Sequence, residues 1–165
     1  MQPPAPPSKK NKLRGATVAR QMPVSGAEVF ALLHDYSRRL EWDTLLVGAR
    51  LTGSHEKAQK GATSICTGKP LFGLIGIETR YVSFREGELA AVEMINRPPL
   101  FGAFSASIRH EDNSAGSMLT YKFRFAAKPR FLRWLLEPIM LIELRRETGK
   151  RLEALAEFLG RGPRS

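Results

Sequence analysis

Apolar and polar side chains alternate with a period of two through most of this chain, and the period lengthens to that of a helix near each end. The alternation is cleanest late in the sequence. Leu119, Tyr121, Phe123 and Phe125 share one face of an extended segment, while Thr120, Lys122 and Arg124 share the other. Phe104, Ala106 and Ile108 oppose Ser105, Ser107 and Arg109 in the same way. Strands are predicted at 13–22, 45–53, 61–68, 75–85, 88–96, 103–111 and 117–126. Recognisable turns separate several of them: Ser54-His55-Glu56-Lys57, Glu86-Gly87 and Asp112-Asn113-Ser114-Ala115-Gly116. Ser25, with Glu28 three residues on, is a capping box that opens a helix through Phe30, Leu32 and Leu33. A second short helical turn is read at 37–42, and one long amphipathic helix at 129–159, with Leu152, Leu155 and Leu159 at helical spacing.

One wet and one apolar face per strand suits a single antiparallel sheet. The order of elements therefore predicts an α+β domain: a curved seven-stranded antiparallel sheet, two short N-terminal helices and a long C-terminal helix over one face. Sheet and helix cannot close tightly along their whole length, so an apolar cavity is expected between them. The alternation places Ile77, Ser83, Val92, Ala106 and Leu119 on the inner face together with six expected ligand contacts, Thr79, Tyr81, Met94, Phe104, Ile108 and Tyr121.

A short string occurs twice, as Pro70-Leu71-Phe72-Gly73 and Pro99-Leu100-Phe101-Gly102. Turns separated by two antiparallel strands share a sheet end, and the connection into the last helix belongs there too. That end is expected to carry Leu71, Phe72, Leu100, Phe101, Phe131 and Trp134 at the cavity mouth, ringed by Lys69, Arg97, Lys128, Arg130 and Arg133. Apolar tips among cations suit an anionic membrane surface or an entering apolar ligand. The alternative is that both loops fold back and plug the core.

Composition narrows the class. The chain has 165 residues, 42% hydrophobic and 25% charged, which fits one soluble domain. The expected domain is 13–160, with 1–12 (MQPPAPPSKKNK) a disordered proline-rich basic tail without the apolar core of a signal peptide, and 161–165 a C-terminal tail. The single cysteine, Cys66, excludes an intrachain disulfide and suits a cytoplasmic location. The net charge of +10 sits at the two ends: residues 1–20 hold five Lys/Arg and no acid, and residues 122–165 hold eleven basic and five acidic side chains. Such an excess favours anionic partners by long-range attraction.

No catalytic constellation stands out. The histidines are His34, His55 and His110; His55 lies in a polar turn, and His34 beside Asp35 is a poor acid–base pair because sequence neighbours diverge on a helix. His110, Tyr81 and Tyr121 are the catalytic candidates, since each falls on or near the inner face. Scattered histidines and one cysteine give no metal-ligand spacing, so neither metal nor cofactor is expected. Taking 100° per residue from Leu152 puts Arg145 and Gly149 on the stripe that faces the sheet. Arg145 is thus expected to be buried and to pair with an acidic group of an otherwise apolar ligand.

The segments Pro23-Val24-Ser25-Gly26-Ala27-Glu28-Val29-Phe30, Asp35-Tyr36 and Glu41-Trp42-Asp43, together with the leucine-striped terminal helix, resemble the helix-grip superfamily of START lipid-transfer domains, the birch pollen allergen and bacterial polyketide cyclase/dehydrase-like proteins. The resemblance covers 13–160. It implies a seven-stranded antiparallel sheet gripping the C-terminal helix around a hydrophobic pocket, flanked by the loops between strands three and four and strands five and six. The leading expectation is a binder or carrier of a hydrophobic or amphipathic small molecule (a lipid, quinone, polyketide or aromatic) with peripheral contact to an anionic membrane. A polyketide cyclase or dehydratase is the alternative. A third reading, a ribosome-associated or nucleic-acid-binding role such as the superfamily's quinone-binding branch suggests, rests on charge alone, without a nucleic-acid signature.

Overall fold

The computed structural model describes residues 12–68 and 76–162. The strands are β1 (Arg14–Met22), β2 (Leu46–Thr52), β3 (Thr63–Gly68), β4 (Gly76–Arg85), β5 (Leu89–Met94), β6 (Phe101–Asn113) and β7 (Gly116–Ala127). Helices α1 (Gly26–Leu33) and α2 (Arg39–Trp42) lie between β1 and β2, and α3 (Arg133–Gly160) follows a 3-10 turn at Arg130–Leu132. All seven strands form one antiparallel sheet in the order β1-β7-β6-β5-β4-β3-β2. Since β1 and β2 are its two edges, α1 and α2 carry the chain from one edge to the other. The architecture is the one expected from the alternation.

Local chemistry explains the elements. The Ser25 hydroxyl accepts from the Glu28 amide, and the Glu28 carboxylate accepts from the Ser25 amide, so α1 starts where the capping box placed it. The β6–β7 register sets Phe104 opposite Phe125, Ala106 opposite Phe123 and Ile108 opposite Tyr121. Phe123 and Phe125 are buried while Lys122 and Arg124 are exposed, as the period of two requires. The hairpin between β6 and β7 closes on Gly116 at φ +127, where a Cβ would collide with the Met22 carbonyl oxygen. Only glycine fits there.

One inner-face expectation shifts. A register irregularity between Tyr81 and Ser83 resets the alternation in β4, so Phe84 packs against the rings of Phe30, His34 and Tyr81 on the side where Ser83 was expected. A period-two reading cannot see an inserted residue.

The core divides into clusters at the two ends of the sheet–helix layer. Met22, Leu33, Trp42, Leu119, Leu152 and Leu155 form one, joining α1, α2 and the second half of α3. Phe101, Phe123, Phe125 and Met140 form another beneath the first half of α3. The β5–β6 loop and the β7–α3 connection share that second end, with Phe101 opposite Ala127 and the Lys128 amide bonded to the Leu100 carbonyl. Phe101 is 2% exposed, so the phenylalanine of this Pro-Leu-Phe-Gly turn points into the core and not outward at a rim, while Leu100 is half-buried.

Phe123→Ala is expected to lower the unfolding free energy by about 3–5 kcal/mol through transfer and cavity terms. Lys122→Ala, on the wet face, is expected to change it by less than about 0.5 kcal/mol. Urea denaturation of the two variants checks the register, because a slip of one residue would reverse their order.

Candidate functional site

Between the two clusters lies a cavity of about 340 Å³. Its wall is apolar over most of its extent, with Ile77, Val92, Phe101, Phe104 and Leu144 among the lining residues. Polar side chains enter it from the segment after α1 (His34 and Tyr36), from α2 (Arg39), from β4 (Tyr81) and from α3 (Arg151).

The charged part of this wall is built on one carboxylate. Asp43 follows α2 and is 1% exposed. Its Oδ2 accepts from Arg39 Nε at 3.0 Å, from Arg151 Nε at 3.0 Å and from a terminal nitrogen of Arg151 at 2.9 Å. Arg39 also donates to the Leu33 carbonyl at the end of α1, and its guanidinium stacks over Trp42 at 4.7 Å. Burial raises the Asp43 pKa, but Arg151 and Arg39 more than offset that, so the carboxyl sits below its ordinary range. Two guanidinium groups thus share one carboxylate, leaving an excess of positive charge at the cavity wall.

A second network is neutral and has a direction. Tyr36 donates its hydroxyl proton to Ser64 Oγ at 2.8 Å, so its oxygen accepts from Tyr81, 2.9 Å away. With the Tyr81 proton spent, Tyr81 Oη accepts from His34 Nδ1 at 2.8 Å. The chain of bonds therefore fixes the His34 tautomer with hydrogen on Nδ1. His34 Nε2 is left as a bare, buried acceptor with no partner among the described protein atoms. Burial, then Arg39 and His110, push the His34 pKa down to about 3, so the ring is neutral. Burial also raises the Tyr36, Tyr81 and Tyr121 hydroxyls above their ordinary value, keeping them protonated.

Of the residues expected at the site, Thr79, Tyr81, Phe104, Ile108 and Tyr121 line the cavity. Met94 packs beside the Phe101–Phe125 cluster. His110 is buried behind Phe30, whose ring lies edge-on to it at 5.5 Å, and neither of its nitrogens has a protein partner among the described residues. Leu100 is half-buried and Phe101 lines the cavity, whereas Phe131 and Trp134 are exposed. Leu71 and Phe72 lie outside the described residues. Arg145 is exposed, against expectation, and at Gly149 an added Cβ would meet nothing within 4 Å. The stripe of α3 that faces the sheet, marked by Met140, Leu144, Thr148, Arg151 and Leu155, is turned roughly 80° from the Leu152 direction, which brings Arg151 inward and swings Arg145 out.

The sequence reading set His34 aside and missed Arg39, Asp43 and Arg151. The available signal was the i,i+4 spacing of Arg39 and Asp43; their convergence with Arg151, 108 residues beyond Asp43, had no sequence signature. Among the described residues no group of three His, Cys, Asp or Glu is placed to hold a metal ion, and no helix is long and apolar enough to cross a membrane.

The buried histidines set a pH dependence. Burial holds His110 at about 4, against an opposing pull from Asp112, and His34 at about 3. Unfolded, both titrate near 6.5, so from there downward the unfolded chain binds protons that the folded chain refuses. Stability is full above about pH 6.5 and falls on acidification through the window down to about pH 4, by up to about 1.4 kcal/mol per pH unit for each ring. Asp43, held low, adds its own loss only at the acidic end. The urea midpoint is expected to drop between about pH 7.5 and pH 5, with a shallower fall in His110→Leu. A midpoint unchanged across that range would mean that the rings titrate in the folded chain as they do in the unfolded one.

The family model for polyketide cyclase/dehydrase and lipid transport matches residues 15–160. No curated protein matches the chain. Among solved structures, the Zhui aromatase/cyclase from Streptomyces sp. R1128 superposes with a TM-score of 0.75 at 14% identity, covering 93% of this chain and 98% of its own. A protein from Thermus thermophilus gives a TM-score of 0.77 at 8% identity, with 92% and 100% covered. A START superfamily protein from Mycobacterium smegmatis gives 0.64 at 12% identity, with 90% and 95% covered. Identities this low speak for the fold alone. The family match spans the sheet, the helices and every residue of the cavity wall, and on it the chain belongs to the polyketide cyclase/dehydrase and lipid transport family.

Proposed function

We propose that this protein binds an amphipathic small molecule whose apolar, ring-containing or alkyl body fills the cavity and whose acidic head meets Arg151 and Arg39. The observation that carries this reading is the shared carboxylate: two arginines at the wall of an otherwise apolar cavity, with Asp43 as their common counter-charge. A buried cation is costly without a partner, and a ligand carboxylate, enolate or phenolate supplies one. Glu147 also lines the cavity, but it is engaged by Arg146 and Lys150 on its own helix, at 3.7 and 3.9 Å. The volume of about 340 Å³ is at the small end of ordinary ligand sites and suits a fused-ring or short-chain molecule.

A second reading, cyclase- or dehydratase-like chemistry, is favoured by the His34–Tyr81–Tyr36–Ser64 chain. A neutral imidazole whose Nδ1 proton is committed to a tyrosine keeps an unprotonated Nε2, a general base for a substrate whose entry opens that buried atom. The solved relative described as an aromatase/cyclase is consistent with either reading, because its identity to this chain is 14%.

Two measurements separate these. By titration calorimetry, 2-naphthoate is expected to bind at least about tenfold more tightly than methyl 2-naphthoate, one charge-assisted contact being worth roughly 1.4 kcal/mol or more. Arg151→Met, which leaves Asp43 paired with Arg39, is expected to erase the difference. Equal affinity of acid and ester in the wild type would remove the charge-pairing role. For the second reading, deuterium exchange at the carbon between the carbonyls of a naphthyl 1,3-diketone is followed by NMR. Exchange at the buffer rate is expected of a pure binder, whereas acceleration abolished by His34→Gln would establish a proton-transferring site.

A further inference from the structure

We propose that the outward face of the first half of α3 is a docking surface for anionic phospholipid bilayers. This inference is independent of what the cavity holds. Along this segment Phe131 is 75% exposed, Trp134 74%, Leu135 46%, Ile139 61% and Ile142 69%. At 100° per residue Trp134, Leu135, Ile139 and Ile142 fall within about 140° of one another on α3, and Phe131 precedes them in the 3-10 turn. The opposite side of the same turns packs inward through Leu136, Met140, Leu141 and Leu144 against the Phe101–Phe125 cluster. The first half of α3 is therefore apolar on both faces. Its second half is not: the outward positions there are Lys150, Glu153 and Glu157, and the inward ones Leu152 and Leu155. One helix thus obeys ordinary solvation over its last turns and violates it over its first, and a contiguous patch of five large apolar side chains marks an interaction surface.

Charge selects the occupant. Lys128 and Arg130 stand at the start of the stripe, and the turn after Ile142 presents Arg145 and Arg146, both exposed. Arg146 is bound to Glu143, while no ion pair of Arg145 occurs among the described residues. A stripe with cations at both ends, on a chain of net charge +10, complements a surface of anionic headgroups. Arginine and lysine stems follow apolar side chains into the interface while their charges stay at headgroup level. A second copy is the poorer occupant. Packed parallel or antiparallel, two such stripes would bring one cationic end against another, and two positively charged molecules would approach each other. Lying in the interface by its apolar face, α3 would place the helix whose inner side closes the cavity directly on the lipid surface.

Trp134 makes the test direct, because the other tryptophan, Trp42, is 3% exposed and changes little on docking. Intrinsic fluorescence is recorded with vesicles of pure phosphatidylcholine and of phosphatidylcholine containing about a third phosphatidylglycerol. Only the anionic vesicles are expected to shift the emission to the blue, with quenching when brominated lipid is included. Partitioning is expected to fall at least about tenfold in the double variant Phe131→Ser, Ile139→Ser, and severalfold in Arg145→Glu or on raising salt from about 0.1 M to 0.5 M, where screening shortens from about 10 Å. All three side chains are exposed, so circular dichroism should show the variants folded. The proposal is overturned by no shift with anionic vesicles at low salt, by equal binding to both vesicle types, or by undiminished binding of the double variant. Emission already blue and shielded from aqueous quencher in buffer also overturns it, since the chain itself then covers the stripe. A dimer in sedimentation that the double variant dissolves would assign the face to a second copy instead.

Discussion

The Asp43 carboxylate is the interaction on which the arrangement of helices depends. Helix α2 is a single turn of four residues, too short to persist on its own, and Arg151 on α3 lies 108 residues beyond Asp43 in sequence. Arg39 reaches from α2 to Asp43 and to the last carbonyl of α1, while Arg151 reaches from α3 to the same carboxylate oxygen. Three helices are thereby tied at one buried group. Removing the acid would leave two cations with no counter-charge in a low-dielectric site, a loss of about 3–5 kcal/mol in comparable clusters. The clamp and the arginine pair at the cavity wall are one object, so a change at Asp43 disturbs both.

The cavity persists because the sheet and α3 are braced at both ends. Phe101, Phe125 and Met140 meet beneath the first half of the helix, and Leu119, Leu152 and Leu155 meet beneath the second. Between these contacts the curved sheet and α3 stand apart, and side chains such as Tyr121 and Leu144 line the space left between them. Polar groups in that space are tolerated because they satisfy one another. The His34–Tyr81–Tyr36–Ser64 chain uses the proton of each ring once, and burial keeps its imidazole and phenols neutral. The lone pair left over, on His34 Nε2, is buried without a partner among the described residues.

Helix α3 carries three tasks on three sides. Its inner side completes the core, its flank delivers Arg151 to Asp43, and the outward side of its first half stays apolar in water. Such a helix has a weak amphipathic signature along its whole length, because the apolar direction is different in its two halves. That is also why a helical wheel centred on Leu152 pointed to the wrong arginine.

Local pattern along the chain already settles the strands, the start of α1 and the order of elements. Those follow from local rules: alternation in β6 and β7, the Ser25–Glu28 capping box, glycine where Gly116 must turn. It also placed Thr79, Tyr81, Phe104, Ile108 and Tyr121 at the cavity, since an inward strand position stays inward once the register is set. Tertiary structure alone decided the rest. An extra residue near Ser83 exchanged Phe84 for the serine, and the docking angle of α3 chose Arg151 over Arg145. Folding of the β5–β6 turn buried Phe101, and the meeting of Asp43 with Arg39 and Arg151 created the charged wall. Each of these turns on how one element lies against another, and a pattern that repeats along a single element carries no information about that angle.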